Sequence, residues 1–218
     1  MKRIDLHTHS LLSDGELLPS ELARRAERLG HEAIAITDHV DLSNIDLVVP
    51  RLAKVADELN RYMDARVVPG AELTHVPVKS LPRLVKLARR LGAELVLIHG
   101  ETIVEPVHEG TNDAALACSD VDILAHPGFL TPEQAERARE ADIYLELTSR
   151  RGHCITNGWV ARVAMESRAK LLVNTDAHSP EELLTLEEAM RVARGAGLSE
   201  DAAAEAVGEN PKRLLRGL

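Results

Sequence analysis

Short aliphatic runs alternate along the chain with longer stretches in which apolar residues recur every three or four positions. The aliphatic runs predict seven strands, at 3–7, 33–37, 66–73, 94–99, 122–126, 143–148 and 171–175. Most of these runs are continuously apolar, which is typical of parallel strands that are covered on both faces. The pattern therefore predicts a parallel sheet whose strands are joined by crossover segments.

The stretches between the strands predict amphipathic helices. In the segment 20–30, Leu22, Ala26 and Leu29 fall on one helical face and Gly30 stands where the helix would end. The burial of one such face against the sheet is what an α/β fold requires of its crossover helices.

Three further segments support the helical prediction. The segment 80–92 has the same apolar periodicity, and TPEQ (131–134) and SPEE (179–182) are typical of capping boxes with proline at the first helical position. Seven strands, each followed by a helix or a long loop, predict a single α/β domain over residues 1–218. A (β/α)7 barrel of the TIM-like type and an open doubly wound sheet both fit this order.

Composition narrows the classes of partner and compartment. The chain has 218 residues, of which 44% are hydrophobic and only 2% aromatic, and its net charge is −9. An acidic surface repels a phosphate backbone, so nucleic acid is not the expected partner. Apolar runs fall short of the roughly 18 residues of a membrane span, and Cys118 and Cys154 form no CxxC pair. We expect a cytoplasmic protein that does not associate with membranes. The sequence does not indicate its oligomeric state.

Metal-preferring side chains stand at the carboxyl ends of the predicted strands. They are His7, His9, His39, Glu72, His99, His126, Asp176 and His178, with Asp14 in the loop after the first strand. The strand ends of a parallel barrel converge on one face, so these side chains should meet in space. Burying so many titratable groups without an ion would be costly. Imidazole and carboxylate together favour zinc, manganese or iron.

The spacing of His7 and His9 is the one that a shared metal ion would need. His7 and His9 are two positions apart, so in an extended strand they lie on the same face and can hold one ion. Asp14 follows in a loop, from which it can turn back to the same mouth. Asp5 and Asp38 are expected to orient neighbouring groups.

The order of motifs resembles a known family. HTH near the amino terminus, followed by TDH, GAE, HG, HPG and TDAH, is similar to the PHP (polymerase and histidinol phosphatase) superfamily from His7 to His178. Within it, the chain resembles the small stand-alone type that is similar to histidinol phosphatase. The resemblance implies a distorted (β/α)7 barrel with two to three divalent metal ions.

The resemblance also implies a ligand set for each ion. The first set is His7, His9, Glu72 and Asp176, the second is Glu72, His99 and His126, and the third is Asp14, His39 and His178. Glu72 would bridge the first two ions. Glu72, Asp176 and His178 are the residues that we expect to take the most direct part in catalysis.

Substrate contacts are predicted less specifically. Arg150 and Arg151 follow the sixth predicted strand and could hold a substrate phosphate, although a solvated charged loop explains them equally well. His75 follows Glu72 closely and could line the mouth. His31, between a helix end and a strand, is expected at the surface or in a turn.

The favoured function is a metal-dependent phosphoesterase that hydrolyses small phosphomonoesters, with histidinol phosphate as one candidate substrate. A hydroxide bridging two ions would attack phosphorus at a di- or trinuclear site. The first alternative is a 3′–5′ exonuclease or other phosphodiesterase, which the acidic charge and the scarcity of aromatic residues disfavour. An amidohydrolase would need a lysine bridge where this chain has GAE. The alternative from another class is a non-catalytic metal-binding scaffold, which need not keep all nine ligands.

Overall fold

The computed structural model describes all 218 residues and contains a nearly closed barrel of parallel strands. The strands are β1 (Arg3–Asp5), β2 (His31–Ile36), β3 (His39–Val40), β4 (Arg66–Leu73), β5 (Leu95–His99), β6 (Ile123–Ala125), β7 (Tyr144–Thr148) and β8 (Leu171–Asn174). They run in the order β1-β2-β4-β5-β6-β7-β8, and the two-residue β3 pairs with β4. The seven predicted strands and the TIM-like α/β class are confirmed, whereas β3 was not predicted because two residues carry no periodicity.

The barrel closes between the segments that follow β1 and β8. Thr8 and Ala177 form a parallel bridge, and the amide of His9 donates to the carbonyl of Ala177 at 2.8 Å. The amide of Asp176 donates to the carbonyl of His7 at 2.9 Å. This contact excludes the open doubly wound sheet, and it brings the first and last predicted metal-binding segments together.

Helices surround the barrel. They are α1 (Pro19–Arg28), α2 (Ile45–Leu59), α3 (Leu81–Arg90), α4 (Thr111–Leu116), α5 (Pro132–Glu140), α6 (Asn157–Ser167), α7 (Leu186–Gly195), α8 (Glu200–Ala204) and α9 (Asn210–Gly217), with a π-helical turn at Glu205–Glu209. None of these helices combines the length and the apolar character that crossing a membrane would need.

The two predicted capping boxes have different outcomes. The hydroxyl of Thr131 accepts a hydrogen bond from the amide of Gln134 and begins α5, as predicted. A capping box also forms at Ser179, but it begins only a 3₁₀ turn, Pro180–Glu182. The turn stops because Leu183 is extended, with φ −67° and ψ 130°.

The apolar core has two parts, divided by the wall of the barrel. Alternate residues of one strand face opposite sides, so Leu95 and Leu97 point into the barrel whereas Val96 and Ile98 pack under the helices. The inner part contains twelve buried residues, including Leu214 of α9. Aliphatic packing therefore fills the inside of the barrel, and the polar residues gather at the carboxyl ends of the strands.

His31 is not at the surface, and the expectation for it was wrong. It begins β2 with only 4% of its area exposed, and its Nε2 donates to the carbonyl of Leu184 at 2.9 Å. Burial lowers the pKa of His31 below its usual value. The position was misjudged because strand β2 begins two residues before its aliphatic run.

Candidate metal centre

The structure brings the predicted ligands together at the mouth of the barrel, with His7 and His9 at the centre. Their rings lie side by side with centroids 5.0 Å apart. Nε2 of His7 is 3.6 Å from Oδ1 of Asp176, and Nε2 of His9 is 3.1 Å from the same oxygen. The spacing of two residues therefore turns both imidazoles towards one carboxylate, as the extended segment requires.

Glu72 lies between two groups of imidazoles. Its Oε2 is 3.4 Å from Nε2 of His7 and 3.5 Å from Nε2 of His9. Its Oε1 is 3.5 Å from Nε2 of His126. One carboxylate oxygen thus faces each side of the cluster, which is the arrangement that a bridging carboxylate needs.

A third carboxylate, that of Asp14, lies at the edge of the centre with the imidazoles of His39 and His178. Its Oδ1 lies 3.2 Å from Nε2 of His178 and 3.7 Å from Nε2 of His39. The ring of His9 stacks on that of His178 at 4.1 Å between centroids. Donor atoms of His9, Asp14, His39 and His178 all fall within 4.8 Å of one another.

The groups of neighbouring donor atoms in the structure overlap the three ligand sets that the resemblance implies, but they do not match those sets fully. Donor atoms also come within 4.8 Å of one another in the groups His7–Glu72–His126 and His7–His9–Asp176. His99 joins neither, although its ring centroid is 4.4 Å from that of His126. Nε2 of His99 is turned instead towards Glu105, at 3.2 Å.

Buried polar atoms at this centre lack hydrogen-bond partners. They include Nε2 of His7, both ring nitrogens of His9, Oε1 of Glu72 and Oδ1 of Asp176. Oε2 of Glu72 instead lies 2.7 Å from Nδ1 of His39. An unpaired buried polar atom costs about 1–3 kcal/mol, so a protein seldom concentrates them without a ligand. Divalent ions would satisfy these atoms, and the donor set of imidazole and carboxylate fits zinc, manganese or iron.

The electrostatics of the cluster reflect burial and crowding. Burial opposes a charge on His7, yet the surrounding carboxylates, with Glu146 first, outweigh it and hold the pKa of His7 well above its usual value. Burial and neighbouring imidazoles hold the pKa of His9 well below its usual value. Burial raises the pKa of Asp176 to about 6. His9 therefore offers the neutral imidazole that metal coordination requires.

Two of the nine predicted metal ligands adopt strained backbone conformations. His126 has φ 26° and Asp176 has φ 55°, in a region that side chains with a Cβ seldom occupy. Such strain is kept where the surrounding structure fixes a functional group. His126 follows β6 directly and Asp176 lies two residues after β8, where the chain turns out of the sheet.

Aspartates behind the centre hold its loops. Oδ1 of Asp38 accepts from the amide of Ser10 at 2.8 Å and from the hydroxyl of Ser13 at 2.6 Å, next to Asp14. Asp5 accepts from the amide of Thr175 at 3.1 Å, beside Asp176. Both contacts agree with the orienting role expected of Asp5 and Asp38.

The predicted substrate contacts have different surroundings. Nη1 of Arg150 lies 2.8 Å from both carboxylate oxygens of Glu182, whereas Arg151 is exposed and forms no ion pair. His75 lies at the mouth, with its Nε2 3.0 Å from Oε2 of Glu105. Of the two arginines, only Arg151 therefore has a guanidinium group without an ionic partner.

Two residues of the centre were missed from the sequence. Glu146 lies in β7 and contacts the ring of His7, while Glu105 lies in a loop next to His99. A glutamate within a strand buried on both faces was a usable signal for Glu146. The loop that carries Glu105 follows no periodic pattern and offered none.

Known proteins are similar to this chain in sequence along most of its length. The family profile of the PHP domain matches residues 5–101. The uncharacterized protein MJ1295 of Methanocaldococcus jannaschii is 52% identical over 98% of this chain and 99% of its own length. Ribonuclease P protein component 3 of Methanosarcina barkeri is 28% identical over 98% of this chain and 89% of its own length.

A solved structure shares the fold. The histidinol phosphate phosphatase of Lactococcus lactis, in complex with zinc, L-histidinol and phosphate, superposes with a TM-score of 0.63. The superposition covers 91% of this chain and 95% of that one, at 15% sequence identity. At this identity the likeness establishes the barrel architecture.

Proposed function

This chain belongs to the PHP family, and from that premise we propose that it is a metal-dependent phosphoesterase acting on small phosphomonoesters. Histidinol phosphate is a candidate substrate, because the Lactococcus lactis phosphatase that shares the fold was solved with L-histidinol and phosphate.

One observation carries the proposal. Buried imidazoles and carboxylates face one another at the barrel mouth, and several of their donor atoms have no partner in the protein. Structural histidines normally satisfy their ring nitrogens through hydrogen bonds. A cluster of this size, in the place where barrels of this type carry their sites, is best explained as a metal centre.

The residues that would hold two to three divalent ions are the nine predicted ones. They are His7, His9, Asp14, His39, Glu72, His99, His126, Asp176 and His178. Bound ions of zinc, manganese or iron would supply Lewis acidity, which stabilises negative charge on phosphoryl oxygens and makes water a better nucleophile.

Other residues of the chain would position the metal ligands and contact the substrate. Glu146 fixes the ring of His7, and Asp38 holds the loop that carries Asp14. Arg151 offers a free guanidinium group that could bind a phosphate oxygen beside the ions. A metal centre with a net positive charge would attract a small anion, while the acidic surface of the protein would still repel a long polyanion.

The test is a phosphate-release assay on metal-free and reconstituted protein. A panel of small phosphomonoesters, with histidinol phosphate among them, is offered after loading with zinc, manganese or iron. We expect turnover that chelation abolishes and that the same ion restores. Absence of turnover on every monoester with every ion would contradict the proposal.

A second candidate function is the binding or processing of RNA. It is favoured by the similarity to ribonuclease P protein component 3 along nearly the whole chain. Against it stand the net charge of −9 and the 2% aromatic content, which leave little for backbone neutralisation or base stacking. Binding of precursor tRNA without phosphate release would favour this candidate, and digestion of single-stranded DNA would favour the exonuclease.

A further inference from the structure

A helix on the outside of the barrel carries positive charge that its own segment does not balance. Residues 73–93, which include α3, contain five lysines and arginines and no aspartate or glutamate. The other residues together carry −14, against −9 for the whole chain. The acidic surface that disfavours a polyanion elsewhere is therefore interrupted along this segment.

Four of these five side chains lie along the exposed face of the helix, at spacings of four, three and four residues that place neighbours on one side. All four are exposed and none forms an ion pair, whereas the fifth, Arg89, pairs with Asp122 at 2.6 Å. The first of the four lies in the 3₁₀ turn Val78–Ser80 that leads into α3, and the other three lie in α3 itself. We call these four residues the basic stripe: Lys79, Arg83, Lys86 and Arg90.

Other helices of this chain pair exposed arginines with a carboxylate one turn away. In α1, Arg25 lies 2.8 Å from Glu21, and in α7, Arg191 lies 2.5 Å from Glu187. The basic stripe has cations at the corresponding spacings instead, and like charges one turn apart destabilise a helix. An anion bound along the stripe would remove this repulsion.

The amino end of α3 is also an unfavourable place for cations. A helix carries partial positive charge at its amino end, and α3 begins at Leu81, so Lys79 and Arg83 lie beside that charge. Arg90 is at the carboxyl end, where a cation is favourable. The helix dipole therefore explains one end of the basic stripe and opposes the other.

The surroundings of the basic stripe favour a nucleic acid over other anionic partners. The apolar face of α3 is buried in the core through Leu81, Leu84 and Val85, so this helix cannot insert into a lipid surface. No large apolar side chain is exposed in residues 74–93, whereas the centre of a protein–protein interface is apolar and poor in lysine. Interfaces with nucleic acid are polar and strongly positive.

We propose that the basic stripe binds the phosphate backbone of a nucleic acid. From Arg83 to Arg90 the helix rises about 10 Å, a length over which one strand of a duplex presents about three phosphates. Contacts of this kind fix a nucleic acid on the protein and carry no sequence information. The proposal concerns a surface outside the metal centre and does not rest on the proposed function.

The experiment measures the affinity of the protein for short fluorescent RNA and DNA duplexes by anisotropy, over a series of salt concentrations. The double variant Arg83→Gln/Lys86→Gln is compared with wild type and with Arg24→Gln/Arg191→Gln. The control removes the same charge from exposed positions of α1 and α7, where the side chains are 67% and 71% exposed. Polyglutamate replaces the duplex in a parallel titration, and circular dichroism confirms that each variant is folded.

We expect wild type and the control to bind a duplex with a slope of log affinity against log salt of about −3 to −4, because each phosphate contact contributes about −0.9. The stripe variant should bind at least tenfold more weakly, with a slope reduced by about two. Binding of only one type of duplex would support the proposal and identify the nucleic acid.

Three results would overturn the proposal. Wild type could fail to bind either duplex at low salt, or both double variants could lose affinity equally, in which case net charge and not the basic stripe governs binding. Tighter binding of polyglutamate than of either duplex would assign the stripe to an acidic protein partner. Phosphate release is measured on the same preparations, and its absence with normal duplex binding would contradict the proposed function alone.

Discussion

Nδ1 of His7 lies 2.8 Å from Oε1 of Glu146, and both side chains are completely buried. The same glutamate accepts from Nδ2 of Asn174 at 2.9 Å and, through its other oxygen, from the amide of His126 at 3.1 Å. Because an ionised carboxylate only accepts, the Nδ1 proton of His7 points to Glu146. Nε2 of His7 is thereby left to face the metal centre, an arrangement that orients many metal-binding histidines.

The first prediction concerns Glu146. Replacing it by Gln keeps the shape but removes the charge that orients His7, so we expect metal affinity and kcat to fall about 10–100-fold. Metal titration and phosphate release measure both quantities. Glu166→Gln, an exposed position on α6, serves as the control and should behave as wild type. Wild-type metal affinity in Glu146→Gln would show that the contact is only structural.

The second prediction compares Glu72 with Asp14. Glu72 is fully buried between two groups of imidazoles, whereas the side chain of Asp14 is 56% exposed at the edge. Glu72→Gln should weaken two ions, because an amide has one good acceptor oxygen where the carboxylate has two. Asp14→Asn should weaken one ion and leave partial activity.

Metal counting by elemental analysis, with kcat and circular dichroism, separates the two variants. Near-normal activity and full metal content in Glu72→Gln would mean that Glu72 does not bridge. An equal loss of ions in both variants would remove the distinction between an inner and an edge position.

The third prediction concerns the two arginines after β7. Arg151 has no ionic partner, so Arg151→Ala should lower kcat/KM by the equivalent of about 1–3 kcal/mol if it binds the substrate phosphate. Arg150 must first leave Glu182, whose Oε2 also accepts from the amide of His178 at 2.7 Å. The exposed Arg83→Ala is the control. Unchanged kinetics in both single variants and in the double variant would assign both arginines to a solvated loop.

The sequence was sufficient to predict the barrel and the place of its centre. Continuous aliphatic runs marked the strands, and their convergence in a parallel barrel follows from topology without knowledge of any side-chain contact. His7, Glu72 and Asp176 could therefore be brought together although they are far apart along the chain. Strand-end position is a strong signal because the fold itself produces the proximity.

Contacts that depend on loop paths could not be predicted. Glu105, in the loop after β5, approaches His99 at 3.2 Å, and Arg150 pairs with Glu182 of another segment at 2.8 Å. His31 was misplaced for a related reason, since burial at the start of a strand depends on what packs over it. Here it is the segment at Leu184.

The fourth prediction concerns pH and His31. Burial lowers its pKa in the folded state, so below about pH 6.5 the unfolded chain takes up a proton that the folded chain does not. His31 therefore costs stability as pH falls through this range and has no such effect above it. His31→Gln keeps a donor for Leu184 and should reduce the loss of unfolding free energy between pH 7 and 5, by at most about 1.4 kcal/mol per pH unit. Chemical denaturation of both proteins at each pH measures it, and parallel pH profiles would refute the assignment.

The central claim is that the cluster at the barrel mouth is a metal centre that hydrolyses small phosphomonoesters. The most direct measurement is phosphate release by one preparation of the protein as purified, after removal of its metals, and after reloading, with the bound ions counted each time. The account predicts two to three ions per chain, turnover that disappears with them, and recovery on reloading. Turnover that is unchanged in metal-free protein, or fewer than one ion per chain after reloading, would contradict it.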